Sequence, residues 1–334
     1  MGEQLLARRR ERGAGAASSA ALRSRRRRVA AAAALAVGLT VAASGCVTAP
    51  PQPTTGLGSN TPCERTDVQL TNPAAPLSPI YVAYPTGSSA APLTGGTCED
   101  SQRPVLFLVH GYLASFNWVY EGVINHFSRT GYIVVMGTYG TDLANVQGSA
   151  DSALQAIDAA VPQLDREDLG NVGLIGHSLG GGMLPHVTQQ VVARGWGSDG
   201  LWLLSLAPYQ GIGSGTITLP AHTRAIVEAY DQDTLVDRSV GVDLFRRMSM
   251  PNGQKDHVTV RTSSNGGVTL TAQHTSPNSV IAPDDAIKFY GIYRVGDALG
   301  SCALVGANCT ADLGAMGNWS DGTEVLRSVV TDNP

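Results

Sequence analysis

Lysine is almost missing from this chain of 334 residues: Lys255 and Lys288 are the only two, and every other basic side chain is arginine, a mark of genome composition rather than of function. No C-x-x-C pair occurs, and no histidine stands at ligand spacing beside any of the five cysteines, which argues against a cysteine-based metal site. No apolar run spans a bilayer comfortably; the best candidate, residues 29–43, has 15 residues where about 20 are needed. There is no internal repeat, and low complexity is confined to one short Pro/Thr/Gly-rich stretch, so the chain reads as one domain behind a leader.

The first 45 residues carry the marks of an export segment. Arg23 and the arginines at 25–28 form a basic region, residues 29–43 are the apolar region, and Ala43-Ser44-Gly45-Cys46 resembles the bacterial lipoprotein box, with alanine where leucine is preferred. Cleavage there leaves Cys46 to be lipidated and the domain anchored outside the cytoplasm; ordinary secretion is the alternative. Nine Arg and two Glu leave with this segment, so the mature chain keeps 14 basic against 25 acidic residues, a net charge of about −11 with His neutral. Nucleic acid and anionic membrane surfaces repel such a domain, so neither is expected as a partner. Cys63 with Cys98 and Cys302 with Cys309 form an even set suited to two local disulfides. Residues 46–62, rich in Pro, Thr and Gly, are expected to be an extended tether to a catalytic domain over residues 63–334.

Within that domain, short alternating runs at 67–70 and 80–84 predict two antiparallel edge strands. Five consecutive apolar residues at 105–109 mark a strand buried on both faces. A helix over 116–127, a strand at 132–136, a helix presenting Leu154, Ile157 and Val161, a strand from Val172 to the elbow, a helix over 183–193, and strands at 201–206 and 225–229 continue the alternation. The expected fold is α/β: a mainly parallel central sheet with helices on both faces. Alternating runs at 257–261 and 268–272 flank a Ser-Ser-Asn-Gly-Gly turn signal, and a last helix is expected over 284–298. Residues 211–218 (GIGSGTIT) are too glycine-rich for an amphipathic lid helix, so no large cap and an open groove are expected.

The chemistry centres on residues 172–182, which read Val-Gly-Leu-Ile-Gly-His-Ser-Leu-Gly-Gly-Gly. A short apolar strand, an abrupt turn at Gly176-His177-Ser178-Leu179-Gly180 and a following helix make a nucleophile elbow, with Ser178 held above the sheet edge. Serine needs a base to take its proton and a carboxylate to hold that base in the right tautomer. The strand at 225–230 empties into an acidic loop, where Asp233 is favoured over Asp231 and Asp237. Of the seven histidines, His110 and His177 adjoin the oxyanion loop and the nucleophile, His126 and His186 fall on helices, and His222 precedes a strand; His274, just past a strand, is favoured as base over His257. An oxyanion needs two fixed N–H donors, and Tyr112 and Leu179 supply them.

Together these residues resemble the α/β-hydrolase superfamily over residues 104–293. The run Phe107-Leu108-Val109-His110-Gly111-Tyr112, with Asn117, Tyr120 and Gly131-Tyr132-Ile133-Val134-Val135, looks like chlorophyllase-type hydrolases. Gly-His-Ser-Leu-Gly-Gly-Gly and Gly111-Tyr112 are similar to bacterial cutinase-like and polyester-hydrolysing enzymes. The resemblance implies a serine carboxylesterase without a cofactor, with Ser178 as nucleophile, Asp233 as acid, His274 as base, and Tyr112 and Leu179 as backbone donors. Nothing specific to a chlorophyll or polyester site is visible, so the substrate does not carry over. The expectation is therefore an exported, lipid-anchored serine ester hydrolase; a thioesterase or peptidase using the same residues, or a silent binding module on the same fold, are the alternatives. No motif assigns residues 302–319.

Overall fold

The chain builds its elements in the order β1 (Glu64–Leu70), β2 (Ile80–Thr86), β3 (Arg103–Val109), α1 (Glu121–Arg129), β4 (Ile133–Gly137), α2 (Val146–Ala160), β5 (Glu167–His177), α3 (Leu179–Ala193), β6 (Gly200–Leu206), β7 (Arg224–Tyr230), α4 (Ser239–Arg247), β8 (Lys255–Val260), β9 (Ser263–Asn265), β10 (Val268–Leu270), α5 (Arg294–Val305) and β11 (Val329–Thr331). The computed structural model describes residues 46–60, 62–100 and 102–334; the leader expected over residues 1–45 lies outside them. Alternation of strand and helix folds as an α/β architecture, with a nine-stranded sheet in the order β1-β2-β4-β3-β5-β6-β7-β8-β11. The strands from β4 to β8 in that order run parallel, and β1, β2 and β11 join antiparallel at the edges.

The apolar run in β3 shows why the sheet sits where it does. Successive side chains point to opposite faces, so Val105, Phe107 and Val109 enter one core while Leu106 and Leu108 enter the other. The first core is closed by α2, α3 and α4 through Leu154, Ile157, Leu184, Val187, Leu244 and Phe245. The second is closed by α1 and α5 through Val123, Phe127, Val295 and Leu299. From β3 the chain crosses to β4 on one side and from β4 to β5 on the other, so the strand order reverses between β3 and β5. In open α/β sheets the crevice outside the carboxyl ends at such a reversal is where ligands bind.

Several local expectations change. The helix expected over 116–127 is a 3-10 turn at Asn117–Tyr120 followed by α1. The helix expected from 183 begins at Leu179, directly after the turn. The runs at 257–261 and 268–272 do not pair with each other: β8 lies parallel to β7 in the main sheet, while β9 and β10 make a separate hairpin. Gly266 and Gly267, both at positive φ, complete that turn alone, which frees Ser263–Asn265 to be its first strand. The last helix is longer than expected: a π-helical stretch, Ile287–Tyr293, runs into α5. Helix α4 and strand β11 are elements that the sequence pattern does not mark.

Residues 46–62, expected to be an extended tether, contain no helix or strand among the described residues, yet residues 47–58 are laid against the domain. Thr48 exchanges two hydrogen bonds with Ser320, donating to its Oγ (2.9 Å) and accepting from its N–H (3.1 Å), and the Tyr290 hydroxyl donates to the Pro51 carbonyl (3.2 Å). The Gly58 N–H donates to Asp297 Oδ2 (2.7 Å), and Asp297 Oδ1 meets His126 Nε2 (3.0 Å) in the interior. Only glycine fits at 58: its φ is +81°, and a Cβ there would lie 2.6 Å from the Phe289 carbonyl oxygen. The segment is a strap.

Cys63 is bonded to Cys98 and Cys302 to Cys309, and Cys46 is free and exposed. No helix among the described residues is long and apolar enough to cross a membrane. Nor do the described residues hold a group of three or more His, Cys, Asp or Glu placed to bind a metal ion. Between β6 and β7 there is no helix; Ile217 is buried, and Arg247 holds the glycine-rich segment through the carbonyls of Ile212 and Gly215.

Candidate active site

Ser178 follows β5, at the carboxyl edge where the strand order reverses, and it caps α3 with φ 57° and ψ −117°. A non-glycine residue in this region costs on the order of 1–3 kcal/mol and persists only where its surroundings fix it. Here they do. A Cβ at Gly176 would lie 2.4 Å from the Gly180 carbonyl oxygen, and one at Gly180 only 2.1 Å from that of Val109, so both glycines are required for strand and helix to approach this closely. The Ser178 N–H donates to the Leu206 carbonyl at 2.9 Å, and its own carbonyl accepts from Gly182 and Tyr209, both at 2.9 Å.

The loop after β10 brings His274 over the elbow. Its Nε2 lies 2.9 Å from Ser178 Oγ, and its Nδ1 lies 2.8 Å from Asp233 Oδ2. A carboxylate can only accept, so Nδ1 carries a proton, and in the neutral ring this leaves Nε2 as the acceptor facing the hydroxyl. Asp233, on the loop after β7, is fixed through its other oxygen, which accepts from the N–H groups of Leu235 (2.8 Å) and Val236 (3.0 Å). Its side chain is 1% exposed. The two rival aspartates are used elsewhere: Asp231 accepts from the Thr262 N–H and Asp237 from the Ser239 N–H. His257 is buried on β8 with its ring edge-on to Phe245, on the opposite core face.

Both expected donors lie on segments next to Ser178. Leu179 is the first residue of α3, so its N–H has no carbonyl a turn earlier within the helix. The loop after β3 passes beside the elbow, where a Cβ on Gly111 would lie 3.3 Å from that of Ser178, and it carries Tyr112. His110 holds this loop: its Nδ1 is 2.8 Å from the Gly111 carbonyl, its ring stacks on Tyr139 at 3.8 Å, and the Tyr139 hydroxyl donates to its carbonyl. Burial pushes the His110 ring down to about 4, so it stays neutral.

His177 has partners that the sequence does not mark. The ring is buried, its Nδ1 lies 2.9 Å from the Tyr120 hydroxyl, and its Nε2 lies 2.8 Å from the backbone carbonyl of His274. The same hydroxyl accepts from the Gly111 N–H at 2.9 Å. These contacts join residues up to 97 positions apart, and no local sequence signal marks them.

The loops that carry the site residues expose large apolar side chains: Tyr112, Leu113, and the stacked pair Phe116 and Trp118 after β3, Leu235 on the acid loop, and Val280 and Ile281 beyond the base. Soluble chains rarely gather such residues without a use for them. The arrangement can attack an electrophilic carbon from Ser178 Oγ, move its proton through His274 and hold a developing negative charge on backbone donors. No protein-family model matches the chain, and no curated protein matches it.

Proposed function

We propose that this chain is an exported serine ester hydrolase with an α/β-hydrolase fold, working through an acyl-enzyme on Ser178. The observation that carries the reading is the continuous set of hydrogen bonds from Ser178 through His274 to Asp233, starting from a strained elbow at the carboxyl edge of the sheet. Ser178 Oγ adds to the ester carbonyl carbon while His274 Nε2 takes its proton, and Asp233 stabilises the imidazolium. The carbonyl oxygen, now negative, is held by the N–H groups of Leu179 and Tyr112. When the intermediate collapses, the alcohol leaves with the proton from His274, and the acyl group stays on Ser178. Water then repeats the sequence and releases the acid. No step calls for a cofactor.

The apolar rim supports an ester with apolar groups on either side of the carbonyl over a charged peptide. The two disulfides support maturation in an oxidising compartment, in keeping with the export leader and the expected lipid on Cys46. Hydrolysis of p-nitrophenyl acetate and butyrate by the mature protein tests the reading. Ser178→Ala should lower the rate by roughly 10⁴- to 10⁶-fold if the three side chains act as a unit. Retention of a tenth of the activity contradicts the mechanism, and a preference for thioesters or peptides redirects it to those classes.

A further inference from the structure

The residues joined through His177 carry a second assignment, which rests on the proposed ester hydrolysis at Ser178. The direction of every hydrogen bond in the set is fixed. A backbone carbonyl only accepts, so His177 Nε2 must carry a hydrogen toward the His274 carbonyl. The ring is enclosed, and burial, reinforced by the nearby His274 imidazole, drives its protonation down to about 3. It is therefore neutral, with Nδ1 bare. The Tyr120 hydroxyl must donate to that nitrogen, and the same oxygen accepts from the Gly111 N–H. Burial also keeps the Tyr120 phenol protonated.

We propose that Tyr120 and His177 are positioning residues: one hydrogen-bonded relay, Gly111 to Tyr120 to His177 to the His274 backbone, sets the oxyanion loop and the base loop against the same elbow. Its two ends are the pieces that must be placed accurately. Gly111 precedes the donor Tyr112, and the carbonyl held by His177 belongs to the base itself. Displacing reacting groups by about 1 Å costs on the order of 10²-fold in rate. An imidazole suits position 177 because it offers an acceptor on one edge and a donor on the other; an asparagine retains the first and a glutamine the second.

Two measurements test this. The first needs no activity. In protein carrying ¹⁵N-labelled histidine, His177 should show a bare Nδ1 and a protonated Nε2 throughout pH 5–8; a protonated Nδ1 overturns the relay. This result stands even if the protein hydrolyses no ester, in which case the proposed function fails alone. The second is kinetic, with p-nitrophenyl butyrate and a thermal midpoint for each variant. Tyr120→Phe should lower kcat about 10-fold and leave KM within twofold. His177→Asn should lose about 100-fold in kcat, and His177→Gln, which can still reach the His274 carbonyl, should recover most of it. The double variant Tyr120→Phe/His177→Gln should lose little more than Tyr120→Phe alone. Folded variants with parental kcat, equal losses in His177→Asn and His177→Gln, or losses that multiply in the double variant overturn the positioning role. If either His177 variant does not fold, the labelled-histidine measurement and Tyr120→Phe, which removes a single hydroxyl, decide the outcome.

Discussion

Glu228 lies in the middle of β7, flanked in the sheet by Leu206 and Val258, and none of its side chain reaches solvent. Neither carboxyl oxygen makes a hydrogen bond of normal geometry among the described residues, although the Tyr230 hydroxyl is close enough to act on it. Burial therefore pushes the group from its ordinary 4.5 up to about 8, and the neighbouring Tyr230 hydroxyl offsets only part of this. The folded chain holds a proton there that the unfolded chain releases above about pH 4.5. Raising the pH through this window consequently favours the unfolded state, by about 1.4 kcal/mol per unit, until the folded carboxyl itself ionises near pH 8. Glu228→Gln keeps the shape and neutrality of the protonated acid and removes the titration. Between pH 5 and pH 7 the parent should thus lose on the order of 3 kcal/mol relative to the variant. Urea unfolding followed by tryptophan fluorescence at pH 5, 6, 7 and 8, with both disulfides intact, measures the difference directly. A gap between parent and variant that stays constant with pH would refute the reasoning, because it would mean that Glu228 is ionised or paired in the folded chain.

His274→Ala should abolish ester hydrolysis to about the same extent as Ser178→Ala, and Asp233→Asn should cost on the order of 10⁴-fold, whereas His257→Ala, Asp231→Asn and Asp237→Asn should retain most of the activity in steady-state assays. Gly58→Ala should release the strap, lowering stability by about 1–3 kcal/mol and exposing residues 47–62 to limited proteolysis; unchanged proteolysis would show that the Asp297 contact does not hold it. Because the chain forms no helix between β6 and β7 that could serve as a lid, a concentration series with tributyrin should saturate without a rate jump at the solubility limit. A sharp rise there would point to some other segment acting as a lid, with residues 302–319 examined first.

The alternation of strands and helices was legible because buried parallel strands have to be continuously apolar, as at 105–109, and the elbow was legible because its glycines allow close backbone contacts, Gly176 with Gly180 and Gly180 with Val109 on β3. Asp233 and His274 could be singled out because each lies just past a strand, on loops at one edge of the sheet. What stayed hidden depends on distant partners. Composition at 46–62 reported the lack of a period, but not that a buried carboxylate on α5 would receive the Gly58 N–H. The turn signal at 263–267 reads as a five-residue connection, although two glycines suffice; Ser263–Asn265 is instead the strand β9, and β8 pairs in the main sheet. Nothing near Tyr120 or His177 in the sequence indicates that they meet, and nothing in the strand at 224–230 reveals that its acid is unpaired.

Ser178 is proposed to be an activated nucleophile. Incubating the folded, disulfide-bonded protein with a fluorophosphonate and mapping the adduct by peptide mass spectrometry tests it most directly. One phosphonate per chain is expected, on Ser178, with labelling reduced to background in His274→Ala. A folded protein that takes up no label, or takes it up on another residue, would contradict it.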